Sequence, residues 1–381
     1  MSLGSNSIGK EFVVTCFGES HGRCVGAVID GCPAGLPLTV EDIQKELDKR
    51  LPQNQEIVST RREEDTVELL SGTFENFTTG APITVLVWNK EANSEAYEAI
   101  RHTPRPGHSD YPARIKYLGF NDNRGGGRFS GRLTAAFVMA GAVAKKLLEL
   151  AGMEVLAYST EIGGVKMDNS LSLDVAKEKT YESSVRCPDL KAAKKMETAI
   201  LKAKSEGDSV GGVVECVALN VLPGIGEPMF DSLDAELAKM LFAVPAVKGV
   251  EFGVGFEAAR LRGSQNNDSY TMKHGEVQAL TNNAGGILGG LSSGMPIVVR
   301  VAIKPTPSIA KEQKTVDLLE MTDTTIQVNG RHDACIVPKA VPVVESSVAL
   351  VLVDQLIRAG ILPKVLGVEA VGESDEVTEQ D

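Results

Sequence analysis

The sequence predicts an α+β fold in one large domain, and three observations carry that prediction. Short β-rich runs and long apolar helical runs are interspersed along the chain. With 43% hydrophobic and 24% charged residues over 381 positions, the composition is that of a globular protein with a sizeable core. One segment also echoes another: Thr-Thr-Gly-Ala-Pro-Ile-Thr-Val at 78–85 resembles Ser-Ser-Gly-Met-Pro-Ile-Val-Val at 292–299, and each is followed by a Gly/Arg segment and then an Ala/Val-rich helix. The echo points to two related halves around buried helices, with chance similarity as the alternative. No linker separates the halves, so residues 1–370 read as one domain and the acidic 371–381 as a disordered tail.

Residues 11–15 and 26–29 read as short strands. Thr39, with Asp42 three residues on, has the form of a capping box and opens a helix through Arg50, with Ile43 and Leu47 on one face and Pro52 as its stop. The polar stretch 53–64, which contains Arg61 and Arg62, reads as an exposed loop, and 82–88 as a strand. An Ala-rich helix over 133–150 is apolar on most faces until Lys145 and ends at Gly152; such a helix belongs inside. Downstream come an amphipathic helix over 190–204, a strand over 212–221, a helix over 233–242, a strand over 296–304 and an apolar helix over 343–358 that ends at Gly360. No stretch approaches the roughly 18 apolar residues that cross a bilayer, the longest candidate stopping at Lys145-Lys146. No export signal opens the chain.

A net charge of −12 argues against a general partner of nucleic acid or of an anionic membrane. One region departs from that average. From Arg101 to Arg132 the chain carries six arginines and Lys116 against Asp110 and Asp122, a local charge of +5. A small anionic molecule is the expected ligand. The six cysteines show no CxxC pair and no metal-like spacing with the five histidines, so reduced thiols in a cytoplasm are expected.

Within this frame five segments carry groups capable of chemistry. His21, in Gly18-Glu19-Ser20-His21-Gly22, follows an apolar strand and is flanked by glycines, which suits a general acid or a phosphate donor; the motif also reads as a turn histidine without a role. His108, in Arg105-Pro106-Gly107-His108-Ser109-Asp110-Tyr111, has an arginine and an aspartate to tune its ring, or lies in a solvated loop. Arg124-Gly125-Gly126-Gly127-Arg128-Phe129-Ser130-Gly131-Arg132 runs into a helix start, so amide donors, guanidiniums and a helix dipole together make an anion cradle. It lacks the Lys-Ser/Thr ending of a nucleotide-hydrolysing loop, and the acidic charge disfavours an RNA-binding Arg/Gly segment. Lys304-Pro305-Thr306-Pro307-Ser308 offers an ammonium and two hydroxyls, as a phosphate site or a plain turn, and Arg331-His332-Asp333 sits ahead of a buried helix, as acid/base groups or a surface ion pair. These residues indicate an anion-binding enzyme with His and Asp groups and leave the reaction open.

Taken in order, these motifs, together with Gly263-Ser264-Gln265-Asn266 and Asn283-Ala284-Gly285-Gly286-Ile287, resemble the chorismate synthase family over residues 8–360. The resemblance implies a layered β-α-β sandwich with antiparallel sheets around central helices, usually a homotetramer. It implies a lyase that converts 5-enolpyruvylshikimate 3-phosphate to chorismate and phosphate by 1,4-anti elimination with reduced FMN. It also implies roles for residues. His21 would protonate the leaving phosphate, His108 would sit by the flavin N1 region, and Asp333 would help flavin N5 accept the substrate proton. Arg50, Arg132 and Arg331, with Ser20, would hold the substrate, while Arg128, Phe129, Ser130, Ala246, Gly289, Lys304, Pro305, Thr306, Pro307, Ser308 and Arg331 would hold FMN.

The chain departs from the family pattern at three points: Glu56 stands where a second substrate arginine is common, and Phe129 and Pro307 stand where serines are usual. NADPH is a candidate reductant, but no G-x-G-x-x-G fingerprint follows a strand, so an outside reductant serves equally. A flavin or phosphometabolite binder without turnover is the competing reading; intact His21, His108 and Asp333 favour the enzyme.

Overall fold

Two five-stranded antiparallel sheets lie on either side of two long helices. The structure, a computed structural model, describes residues 4–51, 54, 65–90, 97, 101–168, 170–273, 275–328 and 333–367. The first sheet contains β1 (Ser7–Ile8), β2 (Val13–Gly18), β3 (Cys24–Asp30), β4 (Glu68–Ser71) and β5 (Ile83–Trp88) in the order β1-β2-β3-β5-β4. The second contains β6 (Glu154–Ile162), β7 (Val165–Lys166), β8 (Gly212–Leu219), β9 (Val247–Phe252) and β10 (Ile297–Ile303) in the order β9-β10-β8-β6-β7. The helices that bear on the site or the core are α1 (Val40–Asp48), α2 (Asp110–Tyr117), α3 (Thr134–Leu150), α4 (Leu190–Ser205), α5 (Leu233–Phe242) and α6 (Val337–Arg358). α3 lies on the first sheet and α6 on the second, and the two pack along one another. This is the α+β sandwich with central helices that the resemblance implies.

Period-two patterning sets each sheet's buried face. Along β10, Ile297, Val299, Val301 and Ile303 are buried while Val298, Arg300 and Ala302 alternate toward the outside. The capping box of α1 forms as read: Thr39 Oγ1 accepts from Asp42 N, and the Asp42 carboxylate accepts from Thr39 N at 2.9 Å. The central helices approach closely at Gly141, where a Cβ would lie 2.3 Å from the Ser346 Cβ.

The internal echo corresponds to a repeated structural device. Thr78 Oγ1 donates to Pro33 O and accepts from Leu36 N at 2.9 Å; Ser292 Oγ donates to Leu222 O and accepts from Ile225 N at 2.8 Å. In each half a buried hydroxyl fixes a Pro/Gly turn beside a two-stranded hairpin, and the chain then enters an inner strand, β5 or β10.

Two expectations need correction. The last helix starts at Val337, not at 343, and continues through Pro342. Proline is tolerated near a helix start, and a helix buried on nearly every face gains enough from packing to absorb one missing N–H at Pro342. The same helix is long and apolar enough to cross a membrane, contrary to the reading that no stretch approaches that length, and 94% of its most apolar window is buried inside the protein.

Lys145, read as the point where α3 turns polar, has a side chain only 12% exposed. It pairs with Glu345 of α6 and lies 2.5 Å from Glu46 of α1; the other Glu345 oxygen accepts from Ala157 N of β6 at 3.1 Å. Burial alone would depress the Lys145 ammonium's pKa, but Glu345 and Glu46 outweigh it and raise the value. Glu345→Ala is therefore expected to cost about 3–5 kcal/mol in urea unfolding, because a buried cation loses its closest partner. A loss under about 1 kcal/mol would show that the pair contributes little.

Candidate active site

Three consecutive glycines place the histidines. Gly125, Gly126 and Gly127 all have positive φ, at 59°, 84° and 51°, within a tight turn that leads through Gly131–Leu133 into α3. Ser20 N donates to Gly127 O at 3.2 Å, which ties the His21 loop to this turn. A Cβ on Gly125 would lie 2.1 Å from His21 Cε1 and Nδ1, and one on Gly126 would lie 3.2 Å from His108 Cε1. Bare backbone thus runs against both imidazoles. His21 is 7% exposed and meets the Tyr97 ring edge-on at 5.2 Å. Its charge also reaches Asp122, whose carboxyl is held below the usual carboxylate range chiefly by the Arg124 side chain.

His108 belongs to a three-membered polar cluster. Its Nδ1 is 2.6 Å from Asp110 Oδ1, and Arg105 donates to the same carboxylate through Nε at 2.7 Å and Nη2 at 2.8 Å. Burial would raise the Asp110 pKa, but the hydrogen bonds and charges of Arg105 and His108 prevail and hold it far below the ordinary carboxylate range. An ionised carboxylate can only accept, so the His108 Nδ1 carries the proton. Arg105 Nη1 continues to Ser308 Oγ at 3.0 Å, and Lys304 Nζ donates to Gly107 O at 2.9 Å. The Lys-Pro-Thr-Pro-Ser segment, at the end of β10, is thereby docked on the His108 loop, with the Pro307 Cβ 3.6 Å from where a Gly107 Cβ would stand.

The arginines converge less uniformly. Arg132 is buried, with Nη1 2.5 Å from Asp65 Oδ2 and Nε donating to Asn89 Oδ1 at 3.0 Å. Arg50, just past α1, donates to Thr134 Oγ1 at 3.2 Å and sits 4.0 Å from Asp65. The two candidate anion clamps therefore share one carboxylate. Arg128 points elsewhere: its guanidinium donates to the carbonyls of Cys16 and Gly18 and to Asn6 Oδ1, fastening the glycine turn to β2. Ser130 accepts from Arg132 N and so caps the turn before α3, while Phe129 is exposed.

Thr306 Oγ1 donates to Asp333 O at 2.8 Å, and the Asp333 carboxylate is 2.7 Å from Lys339 Nζ, so Asp333 joins the Lys304–Ser308 side of the site. Ala246, in the left-handed region at φ 73°, accepts from Lys304 N. Gly289 turns the hairpin that precedes β10, whereas Lys304 follows β10. Arg331, and the Glu56, Arg61 and Arg62 positions, lie outside the described residues.

Residues 12–357 match the family model for chorismate synthase. The chain belongs to the chorismate synthase family. It is 55% identical over 362 residues to the chorismate synthase of Dehalococcoides mccartyi strain BAV1, covering 95% of this chain and 99% of that protein. It is 53% identical over 357 residues to that of Korarchaeum cryptofilum, covering 94% and 99%. A solved structure titled "Crystal Structure of Chorismate Synthase" superposes with a TM-score of 0.72 at 32% identity, over 92% of this chain and 93% of that one. Like the family, this chain is a lyase that forms chorismate from 5-enolpyruvylshikimate 3-phosphate, the last step of the shikimate pathway.

Motif reading did not single out several residues of this chorismate synthase site. Asp65 and Asn89 hold Arg132, and Tyr97 packs on His21 and lies 5.8 Å from the Arg105 guanidinium. Tyr97, Arg101, Arg105, Asp110 and Arg114 also line a cleft together with Asn121 and Asn123. Arg101, Arg105, Asp110 and Arg114 fall in the basic stretch and the His108 motif already read, whereas Asp65, Asn89 and Tyr97 carry no local signal, since each acts on a partner from another element.

Proposed function

We propose that the elimination takes place over the Gly125–Gly126 backbone, between His21 and His108, with reduced FMN held on the Lys304–Ser308 side. The observation that carries this reading is the approach of two imidazoles from distant motifs to adjacent glycines of one turn. The residues on that side fit a phosphorylated cofactor. Burial first, and then the like charge of Lys248, push the Lys304 pKa down, and a bound anion would relieve that repulsion. Lys304 and Lys248 would meet the phosphate, with Ala246, Thr306 and Ser308 shaping the wall. When bound, the reduced flavin supplies electron density to the substrate ring as the allylic phosphate departs and recovers it afterwards.

The chain's own groups do the rest. His21 carries a proton to the departing phosphate, whose C–O bond breaks with the electron pair leaving on oxygen. His108, its Nδ1 proton committed to Asp110, holds a fixed ring orientation and charge beside the cofactor side of the turn. Asp333, fixed by Lys339, is assigned to uptake of the ring proton, so a C–H and a C–O bond are lost and nothing is oxidised overall. Arg50 and Arg132 meet the phosphate and carboxylates, and the Asp65 that now joins them sets the affinity that an anion must exceed.

Anaerobic incubation with the phosphorylated substrate is expected to yield chorismate and inorganic phosphate with dithionite-reduced FMN and not with oxidised FMN. Equal rates with both would overturn the reading. In a separate anaerobic vessel with oxidised FMN and no dithionite, consumption of added NADPH would assign flavin reduction to this chain, and its absence would assign it to an outside reductant. Lys304→Gln is expected to weaken FMN binding by on the order of tenfold, read by flavin fluorescence. We further infer a homotetramer, supported by the exposed Tyr111, Ile115, Leu118 and Phe120 on and after α2, and a cytoplasmic location, supported by six unpaired thiols. Light scattering tests the first.

A further inference from the structure

Arg186 is buried to 3% exposure in the loop that precedes α4. Its backbone is in the left-handed region at φ 57°, a conformation that a non-glycine residue adopts only when its surroundings impose it. The imposing contacts are Ser159 N of β6, which donates to Arg186 O at 2.8 Å, and Ser183 O, which accepts from Arg186 N at 2.9 Å. From this anchorage the guanidinium crosses to the end of α1. Nη2 donates to Lys49 O and to Leu51 O, both at 3.1 Å, and the plane lies 4.8 Å over the Tyr181 ring. Burial lowers the Arg186 pKa, the cost of holding a cation there.

The two carbonyls that Arg186 grips flank one residue, Arg50. Carbonyls at and just beyond a helix C-terminus lack intrahelical partners, and a cation is the favourable group to cap them. Here a single nitrogen, Nη2, donates to both, so it fixes the carbonyls on both sides of Arg50 and thereby the direction in which the Arg50 side chain leaves the backbone. Arg50 then reaches Thr134 at the start of α3 and the carboxylate it shares with Arg132. The helix itself holds the N–H side of this segment, through Arg50 N to Leu47 O and Leu51 N to Asp48 O, and Arg186 holds the carbonyl side.

We propose that Arg186 is a positioning residue for substrate: through the Lys49 and Leu51 carbonyls it holds Arg50 where it meets the substrate's anionic groups. The proposal rests on the reading of Arg50 as an anion clamp. Lysine would be an incomplete replacement, because a strongly hydrated ammonium has no planar face to lie over Tyr181 while it donates to the two carbonyls.

The test is calorimetric titration of 5-enolpyruvylshikimate 3-phosphate into the full chain saturated with oxidised FMN, with FMN affinity measured separately. Arg186→Met is expected to raise the substrate Kd about tenfold and Arg186→Lys about threefold, each with the FMN Kd within about twofold of the parent. In an Arg50→Ala background, Arg186→Met should add less than about twofold, because the residue acts only through Arg50. Unchanged substrate affinity in Arg186→Met, multiplication of the two losses, or equal loss of FMN affinity would each overturn the proposal. Should Arg186→Met fail to fold, the same cycle run with Arg186→Lys decides between those outcomes. If Arg50→Ala alone leaves substrate affinity intact, the clamp reading itself fails; if Arg50→Ala weakens binding and Arg186→Met does not, only the positioning role fails.

Discussion

Gly125→Ala is expected to lower turnover about a hundredfold or more while the protein still folds. The added Cβ would stand 2.1 Å from two His21 ring atoms and 2.8 Å from Ser20 Oγ, closer than any real contact, so the imidazole must move. Displacement of a reacting group by about 1 Å costs on the order of a hundredfold in rate. The substitution also places an alanine at φ 59°, which adds about 1–2 kcal/mol of strain and should lower thermal stability modestly. Gly126→Ala tests the other histidine with a milder clash, 3.2 Å from His108 Cε1, and should have the smaller effect. Gly131→Ala is the control, since no atom lies within 4 Å of its added Cβ and its φ is not in the left-handed region. If Gly125→Ala and Gly131→Ala turned over alike, the glycine turn would not form the floor of the site.

Loss of either histidine is expected to be comparably severe, about 10²–10⁴-fold in kcat for His21→Ala and for His108→Ala. Near-parental rates for both would refute their roles. Asp110→Asn separates orientation from chemistry at His108: the ring remains but loses the ionised acceptor that fixes its Nδ1 proton. The same variant has a pH signature in stability. Because Asp110's folded pKa is depressed, its contribution is complete above about pH 4 and is lost as pH falls through the lower folded value. Asp110→Asn should thus be less stable than the parent at pH 7, by about 1–3 kcal/mol in urea unfolding, with the difference shrinking in acid. A difference that stayed constant down to pH 2 would show that the carboxylate charge is not what matters.

The residue order alone determined the elements whose signals are local. The capping box at Thr39 and Asp42, the helices α1 and α5 and the β-rich runs of β5 and β10 each depend on neighbours within a few positions, and each formed close to where it was read. The repeat was legible for the same reason: a buried hydroxyl followed by Gly and Pro serves one turn in both halves. Chemistry-bearing residues were legible where glycine, histidine and arginine cluster within a motif.

Tertiary structure alone decided what those residues face. Lys145 reads as the end of an apolar stretch, yet Glu46 and Glu345, from other helices, make its burial tolerable. Val337–Arg358 starts earlier than its prolines suggest because packing on all sides outweighs one absent hydrogen bond. Arg128 sits in the anion-cradle motif and is spent on the carbonyls of Cys16 and Gly18, whereas Arg186, in no motif, grips both sides of Arg50. A guanidinium's role is set by which carbonyls and carboxylates the fold brings within about 3 Å, and that distance depends on sheets and helices far apart in the chain.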